Sequence, residues 1–256
     1  MNIFVIMKRT FDTEEKLVIQ DGRIDGSGAE FVVNPYDEYA IEEAIRLRDD
    51  QGGEVTVVTL GSEDAEKELR TALAMGADKA VLIDDEDLAE KDQYTTASVL
   101  AAYLKGHPYD LILGGNVAID GGSGQVGPRV AELLGIPQVT TITKLEMKEG
   151  KASIVRDAEG DEEIIEVSLP VLVTAQQGLN EPRYPSLPGI MKAKKKPLEN
   201  LELDDLDIEE DEVGAKTATI ELFLPPQKQA GRILEGDLAD QVGELVSLLK
   251  SEAKVI

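Results

Sequence analysis

The chain contains no cysteine, no tryptophan and a single histidine among its 256 residues. The absence of cysteine excludes disulfides, thiolate metal sites and cysteine nucleophiles. No apolar run approaches the roughly 20 residues that a membrane-spanning helix needs, so we expect a cytoplasmic protein without a transmembrane segment. The one histidine, His107, lies in the polar turn GHPYD. We expect it to be solvated rather than to act as a catalytic base.

Positive charge is also scarce, because 26 basic residues face 51 acidic ones and leave a net charge of −25. This balance argues against nucleic-acid binding, which requires a basic surface. Ser123 has no histidine nearby in the sequence and no nucleophile-elbow pattern around it. Asp120 is compatible with Mg²⁺ beside a phosphate, although supporting the adjacent glycine turn is the better interpretation. We therefore predict no catalytic residue and no metal site.

What is present is an alternation of apolar runs and helical patterns over the first ~140 residues, which is typical of a mostly parallel, doubly wound α/β sheet. The pattern predicts a hairpin at 16–24. It predicts strands at 3–7, 54–60, 79–83 and 110–113, and helices at 36–49, 63–75, 94–105 and 124–134. Asn34 is the predicted N-cap of the first helix, with Pro35 at its first position.

The pattern changes to β beyond residue 139. It predicts four antiparallel strands, at 142–148, 152–157, 162–167 and 171–174. Residues 199–212 hold nine acidic residues and no basic one, which indicates an exposed linker. A strand at 218–224 and an amphipathic helix at 237–250 complete the chain. We expect a nucleotide-binding domain over 1–179, followed over 180–256 by a proline-rich loop, the acidic linker and an extended C-terminal arm.

Residues 113–128, LGGNVAIDGGSGQVGP, combine a strand end, a glycine-rich turn and a helix start. Glycines let backbone N–H groups approach a phosphate, and the helix N-terminus adds partial positive charge. Ser123 and Gln125 offer further donors, and adenine is expected against Ile6 and Leu60 at the same sheet edge. The segment is neither a GxGxxG fingerprint nor a Walker A loop, and a flexible loop at a sheet edge is the alternative.

Residues 180–197, NEPRYPSLPGIMKAKKKP, contain four prolines, an isolated Leu187 and four lysines. Proline fixes φ and restricts the residue before it, so the segment is expected to be a stiff, solvent-exposed loop with one apolar tip. A positive patch follows that tip. Such a loop suits contact with a partner protein better than catalysis. The alternative is that the lysines balance the acidic segment or contact anionic lipid.

Four segments, 34–47, 70–80, 117–128 and 180–197, resemble in order the β subunit of the electron-transfer flavoprotein family. The resemblance implies a fold of the adenine-nucleotide α-hydrolase-like type and a heterodimer with an α subunit that holds most of an FAD. It also implies a structural AMP in this chain. Carried over by position, the residues that contact AMP are Ile6, Asn34, Pro35, Tyr36, Asp37, Leu60, Gly115, Asn116, Val117, Ala118, Ile119, Asp120, Gly121, Gly122, Ser123, Gly124, Gln125 and Val126.

The proline loop resembles the partner-recognition loop of that family, with Leu187 at the position of its anchoring leucine. The residues implied in partner contact are Tyr184, Leu187, Pro188, Ile190 and Met191. The implied partners are acyl-CoA dehydrogenases, as in fatty acid oxidation, and a membrane quinone oxidoreductase that receives the electrons. Three alternatives stay open: a bifurcating member with a second FAD in place of AMP, a stand-alone universal-stress-type ATP-binding protein, and a scaffold that binds no nucleotide.

Overall fold

The computed structural model describes residues 1–86, 88, 90–208, 210–228 and 230–256. Its strands are β1 (Asn2–Ile6), β2 (Arg9–Phe11), β3 (Val18–Gln20), β4 (Arg23–Asp25), β5 (Phe31–Val33), β6 (Glu54–Gly61), β7 (Lys79–Asp84), β8 (Leu111–Gly115), β9 (Gln138–Lys148), β10 (Lys151–Ala158), β11 (Asp161–Ser168), β12 (Val171–Ala175) and β13 (Leu198–Leu201). Its α-helices are α1 (Pro35–Gln51), α2 (Glu66–Met75), α3 (Gln93–Lys105), α4 (Val126–Leu134), α5 (Leu187–Ala193), α6 (Glu210–Val213) and α7 (Leu238–Leu248).

Nine strands form one sheet in the order β11-β10-β9-β12-β8-β1-β6-β7-β13. The seven strands from β9 to β13 in that order pair in parallel, and β10 and β11 extend the sheet as an antiparallel segment. Side chains alternate between two cores. Ile3 and Val5 of β1 pack with α1 and α2, whereas Phe4 and Ile6 pack with α3 and α4 on the opposite face. The predicted doubly wound α/β fold is therefore confirmed.

The predicted hairpin at 16–24 is confirmed as β3 and β4, joined by a turn at Asp21 and Gly22 in which both residues have positive φ. The predicted direction of the strand at 171–174 is wrong. Strand β12 lies between β8 and β9 and is parallel to both. All five of its residues are buried. A short, mostly apolar strand that is buried on both faces is typical of the middle of a parallel sheet. The antiparallel pattern of the neighbouring strands concealed this.

The predicted linker at 199–212 is also wrong. Leu198–Leu201 pairs in parallel with β7 and forms the edge of the sheet. Leu203 and Val213 are buried, and both pack in the core that contains α3. Apolar side chains interspersed among the acidic ones hold this segment on the body. The acidic composition of this segment therefore reflects a solvated outer surface and does not indicate an unfolded linker.

Residues 218–256, here called the C-terminal arm, have little cover. The strand predicted at 218–224 is wrong, because no described residue there is paired in a sheet, and Ile220 is 99 % exposed. The predicted C-terminal helix is confirmed as α7, which begins after Asp237, whose Oδ1 accepts from the Asp240 N–H at 3.0 Å. Nevertheless no residue of α7 is buried. Across the described part of the chain, no helix is both long enough and apolar enough to span a membrane.

Candidate functional site

A cavity of about 410 Å³ opens at the carboxyl edge of β1, β6 and β8, where the sequence placed a nucleotide pocket. This volume lies within the range usual for small-molecule sites. The predicted binding residues that line it are Ile6, Asn34, Asp37, Leu60, Gly115, Asn116, Val117, Ala118, Gly121, Ser123, Gly124, Gln125 and Val126.

Five predicted residues, Pro35, Tyr36, Ile119, Asp120 and Gly122, do not line this cavity but lie beside residues that do. Pro35 begins α1, as predicted. The Asp120 carboxylate pairs with Lys8 Nζ at 2.7 Å. Gly122 has φ +64° and donates its N–H to the carbonyl of Ala118 at 2.8 Å, which closes the glycine turn. These residues shape the wall of the cavity.

Asn34 is the N-cap residue of α1, as predicted, but its side chain makes no capping hydrogen bond. Instead Nδ2 donates to the carbonyl of Val117 at 3.0 Å, and Oδ1 accepts from the Ile119 N–H at 3.2 Å. The side-chain amide offers both a donor and an acceptor, so it can hold a segment that a simple cap could not. Asn34 thus fixes the glycine-rich segment against the start of α1.

The buried side chain of Asp37 connects the ends of β1 and β8. Its carboxylate accepts the N–H of Lys8, just after β1, and the N–H of Gly115, at the end of β8, each at 2.7 Å. Burial raises the pKa of this carboxyl to about 7, and the two N–H donors act against that rise. A Cβ on Gly115 would lie 2.3 Å from Asp37 Oδ1. Only glycine therefore allows this contact without displacement.

The first turn of α3 forms a wall that the sequence prediction missed. Asp92 caps this helix, because its Oδ1 accepts from the N–H groups of Tyr94 and Thr95 at 2.9 and 3.0 Å. The available signal was an aspartate before a predicted helix that follows a strand of the same edge. The lining residues that are not among the predicted binding residues are Met7, Lys8, Arg9, Gly61, Ser62, Ala65, Asp85, Lys91, Asp92, Gln93, Thr96, Leu100 and Gly127.

The charges around the cavity are mostly paired. Lys8 binds Asp120, and Lys91 binds Asp85 in a close ion pair. No group of three or more His, Cys, Asp or Glu side chains suited to a metal ion occurs within the described residues. The cavity therefore presents apolar surface, backbone groups and the N-terminus of α4. This arrangement suits a phosphate-bearing ligand with an aromatic base, and its described lining residues include no evident acid–base pair.

The second predicted site is the segment 180–191, here called the docking loop. Tyr184 and Leu187 are 95 % and 79 % exposed, and Met191 is exposed as well. The segment is not a loop throughout, because helix α5 begins at Leu187 and Pro188 is tolerated in its first turn. Ser186 caps the helix, since its Oγ accepts from the Gly189 N–H at 3.1 Å. The predicted apolar tip is thus present on the surface.

The predicted patch of four lysines is reduced to three. Lys192, Lys194 and Lys195 are exposed. The fourth, Lys196, donates its Nζ to the carbonyls of Leu73 and Ala77 at 3.0 and 2.6 Å, at the C-terminus of α2. Burial lowers the pKa of Lys196. A lysine at this position satisfies helix-terminal carbonyls and so serves the fold.

Comparison with known proteins adds independent support for a family assignment. A model of the electron transfer flavoprotein domain matches residues 21–206. The chain is 67 % identical to the electron transfer flavoprotein subunit beta of Bacillus subtilis, with 100 % of both chains aligned. It is 41 % identical to the protein of the same name from Syntrophomonas wolfei, over 100 % of this chain and 98 % of the relative. The caffeyl-CoA reductase-Etf complex subunit CarD of Acetobacterium woodii is 37 % identical, over 98 % and 99 %.

Proposed function

The chain belongs to the electron transfer flavoprotein family as a β subunit, and on this basis we propose that its cavity binds AMP. Family membership makes the chain an electron-carrier subunit rather than an enzyme, and it implies a heterodimer with an α subunit. FAD, held mainly by that α subunit, supplies the redox chemistry when bound. The β subunit contributes position and surroundings.

The observation that carries the AMP proposal is the fixation of residues 115–126 along the cavity wall. Asn34 and Asp37 hold this segment by side-chain hydrogen bonds. Ile6 and Leu60 offer apolar surface for the adenine, while α4 directs its N-terminus toward the phosphate. A ligand held in this way is structural, because no acid–base pair lines the described part of the cavity.

The arm supports the heterodimer part of the proposal. In this scheme residues 1–179 form the nucleotide-binding domain, and residues 180–256 carry the docking loop and the arm that packs on the α subunit. The exposed side chains of Leu238, Val242 and Leu245 lie on one face of α7. An exposed apolar stripe of this kind is typical of a protein interface.

The docking loop is proposed to hold acyl-CoA dehydrogenases through Leu187, with Tyr184, Pro188, Ile190 and Met191 around it. Electrons then pass to a membrane quinone oxidoreductase. An exposed leucine on a stiff loop suits insertion into an apolar pocket of a partner. The name of one relative, a subunit of a caffeyl-CoA reductase complex, supports a partner that acts on a CoA thioester.

The decisive experiment is to co-express the chain with its α subunit, purify the heterodimer and quantify the released nucleotides. One FAD and one AMP per heterodimer are expected. Two FAD without AMP would instead indicate a bifurcating member. A purified complex without adenine nucleotide would favour a scaffold, and sustained ATP hydrolysis by the chain would favour the universal-stress type.

A matched pair of variants locates the AMP. Asn34→Ala removes both hydrogen bonds to the glycine-rich segment. It is expected to lower the AMP content while the FAD content is retained. Asn200→Ala, on the exposed face of β13, is the control and is expected to keep both nucleotides. Equal AMP in the two variants would contradict the assigned site.

A further inference from the structure

We propose that Arg183 and Asn180 are positioning residues, which hold the docking loop in its partner-binding conformation by pairing with two buried carboxylates of α1, Glu42 and Glu43. The proposal rests on the docking function proposed above. The inference explains what fixes the position of Leu187. In this scheme Asn180 and Arg183 do not touch the partner themselves.

Arg183 is bound to Glu42 by three hydrogen bonds. Its Nε donates to Glu42 Oε2 at 2.7 Å, and Nη2 donates to Oε1 at 2.9 Å. The backbone N–H of Arg183 also donates to Oε2, at 3.2 Å. Glu42 is only 5 % exposed. A bidentate pair with a backbone contact fixes direction as well as distance, so both the side chain and the main chain of the loop are held.

Asn180 makes a second attachment three residues earlier. Its Nδ2 donates to Glu43 Oε2 at 2.9 Å and to the carbonyl of Tyr39 at 3.0 Å. Glu43 is also buried. Two adjacent glutamates on α1 are thus removed from water and directed at one short loop. Burying a carboxylate costs free energy unless it is paired, and such pairs often serve a defined geometry better than they serve stability.

The segment that follows the docking loop is held equally closely. Arg70 Nη1 donates to the carbonyls of Ala193 and Lys196 at 3.0 and 3.1 Å. Helix α5 approaches α2 so closely at Gly189 that a Cβ there would lie 2.5 Å from the carbonyl oxygen of Ala74. The exposed tip that includes Leu187 lies between these two anchors. Order in the tip before docking lowers the conformational entropy that docking would otherwise remove.

The test uses the intact heterodimer carrying Arg183→Gln. Hydrogen–deuterium exchange of the loop amides in 180–191 is expected to become faster. In electron transfer from an acyl-CoA dehydrogenase of the same organism, the KM for the heterodimer is expected to rise about tenfold, with kcat changed less than about twofold. Arg183→Lys, which keeps the charge without the bidentate geometry, is expected to recover only part of the KM.

Two further variants separate loop position from general stability. Arg183→Gln leaves the Glu42 charge buried and unpaired, whereas the double variant Glu42→Gln with Arg183→Gln removes that charge. The double variant is expected to regain melting temperature but to keep the raised KM and the fast exchange. Lys79→Gln, which removes a surface cation paired with Glu54 at 2.8 Å, is the control and is expected to change neither property.

Unchanged exchange in Arg183→Gln would overturn the inference directly. So would an unchanged KM in Arg183→Gln when Leu187→Ala raises the KM, because the loop would then dock without its anchors. If Leu187→Ala itself leaves the KM unchanged, the proposed docking function fails instead. The exchange data would still show whether the pair with Glu42 orders the loop.

Discussion

Helices α1 and α7 both carry apolar residues at helical spacing, yet their surroundings are opposite. Eight residues of α1 are buried, including Ile41 and Ile45, which are completely covered. In α7 no residue is buried, and Val242 and Leu245 are 51 % and 47 % exposed. The body of residues 1–213 covers its own helices, whereas no described residue of the C-terminal arm is buried. An apolar stripe thus predicts a helix without indicating which molecule will cover it.

The docking loop contains both a covered and an uncovered part. Asn180 and Arg183 are attached to buried groups of α1, whereas Leu187 is exposed like the apolar residues of α7. The chain thus covers the helices around its cavity but leaves apolar side chains of the docking loop and of α7 exposed. Each of the following experiments tests one side of that contrast.

The largest effect is expected from deleting residues 218–256. Because no described residue of the arm is buried in the body, the deletion should abolish association with the α subunit and change the melting temperature of the body by only a few degrees. Size-exclusion chromatography with light scattering and thermal unfolding measure the two properties. A large loss of melting temperature would show that the arm packs on the body.

A pair of leucine truncations compares the two regions directly. Leu69→Ala in α2, where the side chain is fully buried, should lower the free energy of unfolding by about 2–5 kcal/mol. Leu245→Ala in α7 should change it by less than about 0.5 kcal/mol. Urea unfolding of the full-length chain provides both values. Similar losses in the two variants would remove the distinction between covered and uncovered helices.

Leu187→Ala tests the exposed tip of the docking loop. Loss of an anchoring leucine should weaken docking to the dehydrogenase by about 2–4 kcal/mol, while the AMP and FAD contents stay unchanged. Steady-state titration of the dehydrogenase with the heterodimer measures this change. Leu133→Ala, a partly exposed leucine at the end of α4, is the matched control. An equal loss of affinity in the control would mean that exposure alone, rather than position, explains the effect.

The last prediction concerns a buried carboxyl of the body and a change spread over several pH units. The carboxyl of Asp37 has its pKa raised from 3.8 to about 7 in the folded chain. Between these values the folded state holds more protons than the unfolded state, so raising the pH lowers stability. The contribution is at most about 1.4 kcal/mol per pH unit, and it ceases above about pH 7.

The variant Asp37→Asn isolates that contribution. Its free energy of unfolding should be lower than that of the wild type, because one N–H loses its acceptor. It should also decline less steeply between about pH 4 and 7. Urea unfolding at several pH values in this interval compares the two slopes. Parallel profiles would show that Asp37 is not the group responsible.

The local signals in the sequence were sufficient for most elements, including the start of α1 at Pro35 and the turn at Asp21 and Gly22. The glycine-rich segment and the apolar tip at Leu187 were also found in this way, because each is a feature of adjacent residues. The family resemblance added the identity of the expected ligand and partners.

Features that depend on distant residues were missed. The position of β12 between β8 and β9 depends on which strands it meets, and no local pattern states that. The sequence predicts Lys196 to be a surface charge, because it does not show that carbonyl groups at the end of α2 lie beside it. From the local pattern, Glu42 and Glu43 would be assigned to the solvated side of a helix. They are buried because Arg183 and Asn180, about 140 residues away in the sequence, pair with them. Long-range partners, rather than residue types, decide these roles.

Strand β13 follows the docking loop in the chain and pairs with β7, which was synthesised more than 100 residues earlier. On the ribosome, the loop therefore emerges before the strand that secures its far end. A chain that has released β12 but not β13 exposes the edge of β7, and the segment that follows the docking loop is not yet fixed. The protein presents a defined tip to other molecules only after this last strand has paired, which makes the completion of folding a prerequisite for recognition.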